Sequence, residues 1–361
     1  MEGPRAPEEK EYPLLLQFLN ESLRPAQKWT IQEEYPTTLN VQQRSNSRVV
    51  IEDQKVIAHS ILKPLLLKTP TINFKVGAIG SVVTHPSHRG KGLAKKTLVS
   101  VMDEASKQSC DIAILWTNLY DYYRNLDFEL AASEVSFLIN QDLAPAGMGY
   151  SFLKTSQVDP QALLKLYSQH TVNSHRTVED IRLYLKIPQS RVYTAWDQAG
   201  GIVAYAIEGK GADLQDHVHE WGGTVPALIS LFGFMFRDRL KPFTVMVPSV
   251  SVNLISQLYK NAGNIHEGYL GMLKICRPDL LFPKIEKAAV AVGLRDFSIQ
   301  QEGEATNLKL GADNFQVSNS RDLVKILFGP WHEESLLPEN LEKGLSRLLP
   351  LPLWVWGWDS V

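Results

Sequence analysis

The stretch Ser81-Val82-Val83-Thr84-His85-Pro86-Ser87-His88-Arg89-Gly90-Lys91-Gly92-Leu93-Ala94 decides how this 361-residue chain is read. A β-branched run enters a loop with two glycines, and the loop opens a helical pattern that continues to Lys107. Such a loop is an anion cradle. Glycines let the backbone approach a ligand without a Cβ. The unpaired N–H groups of the first helical turn and the helix dipole favour phosphate there. Arg89, Lys91, Lys95 and Lys96 add positive charge. A Walker A loop needs four residues between its glycines and then Gly-Lys-Ser/Thr, and that spacing is absent. A dinucleotide fingerprint needs glycine or alanine where Lys95 stands. The pattern that fits is Arg/Gln-x-x-Gly-x-Gly/Ala, carried by Arg89, Gly92 and Ala94.

Outward from this loop the periodicities set the frame. Upstream they predict a helix over 10–29, a hairpin over 48–62 and a strand over 75–84. Downstream they predict a helix over 92–107, strands over 111–116 and 132–139, and a short helix over 120–126 between them. The order α, β, β, β, α, β, α, β suits one domain. After a linker at 142–149, DLAPAGMG, the order β, β, β, α, β, α, β restarts between residues 191 and 276. A repeated order of elements predicts a second copy of the first topology. From residue 278 a helix, three short strands and another helix predict a small α+β unit. The chain ends LLPLPLWVWGWDSV. A tail this apolar is expected to be buried, because an exposed patch of that size would associate. The fold class is therefore α+β (mixed α/β), with units at 1–145, 146–277 and 278–361.

Composition narrows the function. Lys plus Arg is 37 and Asp plus Glu is 39, a net charge of −2, which argues against a nucleic-acid binder. Two cysteines, Cys110 and Cys276, exclude a disulfide framework and read as buried thiols of a reducing compartment. The polar start MEGPRAPEEKEYP shows no secretory pattern, and the apolar run at 225–236 is too short to span a bilayer. A cytoplasmic location is expected. His217 and His219 would share a strand face, but no third ligand is evident and no metal is expected. Gly209-Lys210-Gly211 has no helix after it, so it reads as a turn rather than a phosphate loop.

After a helix and a strand, the loop is followed by Tyr122-Tyr123-Arg124-Asn125-Leu126-Asp127-Phe128. Together the two segments resemble the pyrophosphate loop and the Phe/Tyr-Tyr-x-x-Leu-Gly-Phe segment of the GNAT superfamily of N-acetyltransferases. The usual glycine is Asp127 here, a residue that tolerates left-handed backbone angles. Tandem acetyltransferase-like units before a small α+β domain resemble the enhanced intracellular survival family. There the first unit is catalytic, the second lacks the CoA loop, and the third looks like a sterol carrier protein. The resemblance implies an acetyl-CoA-dependent N-acetyltransferase acting by direct amine attack through a tetrahedral intermediate. The acceptor would be an amine-bearing small molecule or a lysine side chain. It implies that Val82, Val83 and Thr84 pair with the pantetheine arm. Arg89, Gly90, Lys91, Gly92, Leu93, Ala94 and Lys95 would hold the pyrophosphate, with Asn118 and Leu119 near the pantetheine. Tyr123 looks like the proton donor.

The same family analogy nominates the terminal carboxylate of Val361 as the base. Glu34, just after the first helix where such clefts form, is the rival and a substrate-side candidate. Assembly into a homo-oligomer is also implied, and a balanced net charge offers little repulsion against it. A different class stays open: a non-catalytic acyl-CoA-binding module, or a lipid-binding protein through the last unit.

Overall fold

Val, Ile and Leu recur through residues 47–68, which form strands toward one edge of a thirteen-stranded sheet in the computed structural model, which describes residues 1–143, 149–331 and 336–361. The first half contributes β1 (Glu2–Arg5), β2 (Ser47–Glu52), β3 (Lys55–Lys68), β4 (Asn73–Thr84), β5 (Ile112–Leu115) and β6 (Glu129–Ile139). Its helices are α1 (Tyr12–Leu23), α2 (Ile31–Glu34), α3 (Leu93–Lys107) and α4 (Tyr120–Arg124). The second half contributes β7 (Ser151–Lys154), β8 (Asn173–Ser174), β9 (Arg191–Trp196), β10 (Ile202–Lys210), β11 (Asp213–Gly223), β12 (Phe243–Pro248) and β13 (Ile265–Ile275). Its helices are α5 (Pro160–Tyr167), α6 (Val178–Tyr184), α7 (Val225–Arg239) and α8 (Val252–Asn261). The last unit is α9 (Pro278–Ala291), the antiparallel meander β14 (Phe297–Glu302), β15 (Ala305–Leu310) and β16 (Asp313–Val317), then α10 (Ser320–Phe328) and α11 (Glu339–Leu345). Most of the linker expected at 142–149 lies outside the described residues.

Helix α3 follows from its spacing. Leu93, Thr97, Leu98, Val101 and Ala105 fall on one stripe and are buried, while Lys95 and Lys96 stay exposed. The helix stops at Gln108, and Ser109 then takes a left-handed φ of 59°. Its stripe packs on Leu62 of β3 and Ile79 of β4.

The two halves exchange their last strands. The sequence pattern placed 132–139 as the closing strand of the first unit and 269–276 as that of the second. In the sheet, β13 lies between β5 and β6, pairing Met272 with Leu115 on one side and Tyr269 with Ser133 on the other. β6 pairs outward with β12 of the second half, from Ile139–Phe243 to Glu134–Pro248. Gly271 allows the close approach: a Cβ there would lie 2.8 Å from the Leu115 carbonyl oxygen. The sheet is therefore continuous across residue 145, and its core runs through both halves.

The tail is buried, as its composition predicts. Trp354, Trp356 and Trp358 are each no more than 1% exposed. Trp356 lies 4.1 Å from the His170 ring and donates Nε1–H to the Val172 carbonyl at 2.9 Å. Trp358 stacks on Tyr184. Between them Gly357 passes so close to His219 that a Cβ would meet Nδ1 at 2.1 Å.

Three histidines are withdrawn from solvent, His59 and His219 fully and His170 in large part. Burial pushes His59 and His170 down to about 4 and His219 down to about 3. They stay neutral in the folded chain, whereas in the unfolded chain they take up protons below about 6.5. Their folded pKa values are depressed, so the stability they confer is complete above that pH and is lost as the pH falls toward 4. Each contributes a slope of up to about 1.4 kcal/mol per pH unit. The urea midpoint should fall steadily from pH 6.5 to 4.5; a constant midpoint over that range would contradict this account.

Candidate active site

β4 and β5 run parallel but pair only from Val76–Ile112 to Ala78–Ile114. β5 ends at Leu115 while β4 continues to Thr84, so the strands part beyond Ala78 and open a cleft. At this point Ser81 takes a left-handed φ of 48° and the β3–β4 register slips. Such bulges re-aim backbone groups and recur beside active sites. Val82, Val83 and Thr84 form the half-buried wall of β4 beyond the bulge.

The predicted anion loop lies at the end of this wall. Gly90 and Gly92 have φ of 78° and 73°, and the space where their Cβ atoms would stand is open. α3 begins at Leu93 with no side-chain cap, so its first-turn N–H groups are unpaired. Arg89, Lys91 and Lys95 are exposed around it, with Leu93 packed beneath. Unpaired donors, left-handed glycines and three cations fit a pyrophosphate. Asn118 and Leu119 are exposed on the far side, between β5 and α4.

α4 presents Tyr123. Its ring is 7% exposed, edge-on to Tyr122 at 5.1 Å and to Phe128 at 5.9 Å. It shares a core with Ile79, Val82 and Leu115, the walls of the cleft. The hydroxyl has no hydrogen-bond partner among the described residues, and burial pushes it up to about 12. The turn after it closes as the sequence suggested, with Asp127 at a left-handed φ of 63°.

The chain's own end fills the base of the cleft. A Cβ on Gly80 would lie 2.6 Å from the Val361 carboxyl carbon and 2.9 Å from its oxygen. Only glycine leaves room for the terminus where the strands part. Glu34, by contrast, is a strut. It is fully buried, with Oε2 taken by Arg24 at 2.6 Å and Oε1 by Trp29 Nε1 at 2.5 Å and the Ala212 N–H at 2.8 Å. A carboxylate so tied has no free oxygen to offer a substrate, and here it joins the end of α2 to the β10–β11 hairpin.

That hairpin carries a residue the sequence reading passed over. Lys210, set in Gly209-Lys210-Gly211, is 1% exposed and turns inward. Its Nζ donates to the carbonyls of Gly357 at 2.9 Å and Ser360 at 2.6 Å, and meets Ser360 Oγ at 3.2 Å. Burial pushes its pKa well below the ordinary lysine range. One residue before Ser360, Asp359 accepts from Ser174 Oγ at 2.5 Å, Arg176 Nη2 at 2.8 Å and Tyr184 hydroxyl at 3.1 Å. Arg176 in turn pairs with both Glu220 oxygens at 2.7 and 3.1 Å. These contacts, spanning distant parts of the chain, had no local sequence signal beyond the two glycines that flank Lys210.

His219 points at the Gly209 carbonyl and His217 at that of Gln215. Among the described residues no group of three His, Cys, Asp or Glu side chains is arranged for a metal. Cys110 is buried as expected and Cys276 is only half-buried; desolvation pushes their thiols up to about 11 and 12. No helix among the described residues is long and apolar enough to cross a membrane.

If Lys210 fixes the tail, Lys210→Met should free it. Carboxypeptidase should then release Val361 at least tenfold faster than from the wild-type chain at equal folding. Equal release rates would remove Lys210 from this role.

Residues 4–131 match the model of a family described as acetyltransferase (GNAT) domain. Among solved structures, a GCN5-related N-acetyltransferase from Anabaena variabilis ATCC 29413 aligns at 16% identity and TM-score 0.62, over 89% of this chain and 88% of that one. A conserved protein of unknown function from Enterococcus faecalis V583, described as a probable N-acyltransferase, aligns at 14% identity and TM-score 0.60, over 90% and 88%. Eis1 from Mycobacterium abscessus aligns at 12% identity and TM-score 0.55, over 88% and 85%. No curated protein matches the sequence. The likeness to these structures shows a shared fold along most of the chain, and residues 4–131 carry a GNAT acetyltransferase domain.

Proposed function

We propose that this chain is a cytoplasmic acetyl-CoA-dependent N-acetyltransferase whose terminal carboxylate is the catalytic base. The observation that carries the reading is the Val361 carboxyl group packed on Gly80 where β4 and β5 part. Bound acetyl-CoA supplies the activated acetyl group. The Arg89–Lys95 loop holds its pyrophosphate through backbone N–H groups and cations. The edge of β4 beyond Ala78 pairs with the pantetheine arm, and the bulge at Ser81 turns a backbone N–H toward the thioester carbonyl, where negative charge develops.

The proton inventory then closes. The acceptor amine attacks the thioester carbon, and Val361 takes the proton it loses, directly or through a water. As the C–S bond breaks, Tyr123 gives its hydroxyl proton to the departing sulfur, and the proton held by Val361 then returns through solvent to the Tyr123 phenolate. A hydroxyl held near 12 stays protonated at neutral pH, as a donor must. A carboxylate with an ordinary value near 3.5 is a weak base, so either its surroundings strengthen it or a water relays the proton.

The three units, 1–145, 146–277 and 278–361, then have separate tasks. The first binds acetyl-CoA. The second has no Arg-x-x-Gly-x-Gly/Ala loop and instead clamps the tail through Arg176 and Lys210. The third, a sterol carrier-like cap, delivers that tail. Lipid binding by this unit has no supporting observation.

Tyr123→Phe should lower kcat by about 10²- to 10⁴-fold with little change in acetyl-CoA affinity. Thiol release across an amine panel, beside equilibrium binding of acetyl-CoA, measures both, and an unchanged kcat would return Tyr123 to a packing role. A short tag appended after Val361 should abolish turnover and spare acetyl-CoA binding.

A further inference from the structure

β3 has a gap along its outer edge. β2 pairs with it only as far as Ile61, and β8 only at Leu67 and Lys68. Pro64, which has no N–H to offer a neighbour, stands in this gap. A cavity of about 180 Å³ opens there, lined by Thr37, Thr38, Lys63, Asp180, Tyr184 and Asp359, with Arg176 behind them. It is room for about six water molecules, or for a small polar group.

Lys63 is the unusual member. It is 7% exposed, yet its Nζ makes no hydrogen bond among the described residues. Its ion-pair partner, Asp359 Oδ1, lies 3.8 Å away, beyond hydrogen-bond distance, and Asp359 is already satisfied by Ser174, Arg176 and Tyr184. The Tyr184 ring stands 5.7 Å from the same nitrogen. Lys210 is the contrast: equally buried, it spends its donors on the tail carbonyls. The Lys63 ammonium thus faces the cavity with donors that no described residue accepts, and a ligand oxygen there would take them. Thr38, on the same wall, has a buried hydroxyl that also lacks a partner among the described residues.

The position of Lys63 ties this cavity to the cleft. Lys63 pairs with Ala78, and Ile61 with Gly80, so both pairs lie on one face of the sheet. That face carries the tail, since Gly80 meets Val361 and Lys63 meets Asp359. Two residues of strand separate the two points, about 7 Å. Among the lining charges Arg176 pairs with Asp359, and Asp180 accepts from the Thr177 N–H and hydroxyl, so Lys63 is the charge left to meet a ligand, and one positive charge suits a monoanion.

We propose that this cavity is the acceptor subsite and that Lys63 binds the carboxylate of an amino-acid-like acceptor whose amine lies at Val361. The proposal rests on the transferase reading above and names its substrate class. It narrows the amine-bearing small molecule or lysine side chain that the sequence left open to a small zwitterion, which needs a hydrogen-bond donor for its carboxylate and a nearby carboxylate to take the amine proton.

The test compares free amino acids with their carboxamides as acceptors, for the wild-type chain, Lys63→Met and Lys63→Arg, each checked for folding by thermal melting. The expected result is at least a tenfold preference for the acids in kcat/KM. Lys63→Met should erase that preference through KM, and Lys63→Arg should keep most of it. Equal use of acids and carboxamides by the wild-type chain, or a preference that survives Lys63→Met, overturns the proposal while leaving the transferase standing. If no amine releases thiol, calorimetric titration of the same amino acids decides: binding lost in Lys63→Met supports the subsite apart from the reaction, and no binding overturns it.

Discussion

The contact of Lys210 Nζ with the last backbone carbonyls is the constraint on which the site depends. A chain terminus ordinarily frays, because ordering costs about 1–2 kcal/mol per residue of backbone. Here three tryptophans, the Asp359–Arg176–Glu220 ion cluster and Lys210 hold it residue by residue. Such a buried cluster adds little net stability, since desolvation offsets the Coulomb attraction. It adds position: removing one member leaves a partner's charge buried alone, at a cost of about 3–5 kcal/mol. The register of the tail is therefore fixed, and with it the place of the Val361 carboxyl group.

The exchange of strands explains why the tail can be aimed at all. With β13 set between β5 and β6, and β6 carried over to β12, the two halves cannot rotate independently. The hairpin that carries Lys210 belongs to the second half, and the cleft belongs to the first. Glu34 closes the remaining gap by taking the Ala212 N–H at the hairpin tip, and Gly211 leaves it room, since a Cβ there would lie 2.2 Å from the Glu34 carboxyl group. A carboxylate that looked like a catalyst from its place after α1 is the joint between the units.

What was legible in the sequence is what is local. The loop at 89–94, the stripe of α3 and the turn at Asp127 depend on neighbours a few positions away, and the φ of 63° at Asp127 is the kind of angle that residue type tolerates. The burial of the tail could be read from its tryptophans. The strand exchange could not, because the apolar pattern of a strand is silent about which neighbour it will choose. Lys210 and Asp359 were equally hidden: the bond from Lys210 to Gly357 spans 147 residues and that from Arg176 to Asp359 spans 183. Short pieces such as β1 and α11 carry too few residues for a period to show.

The central claim is that the negative charge at the end of the chain takes the proton from the amine. The most direct measurement replaces that charge and nothing else. A semisynthetic chain ending in Val361 carboxamide would be compared with the natural acid in thiol release from acetyl-CoA, with acetyl-CoA binding measured alongside. The account predicts a fall in kcat of at least about 100-fold with binding unchanged. Equal turnover by the acid and the amide would contradict it.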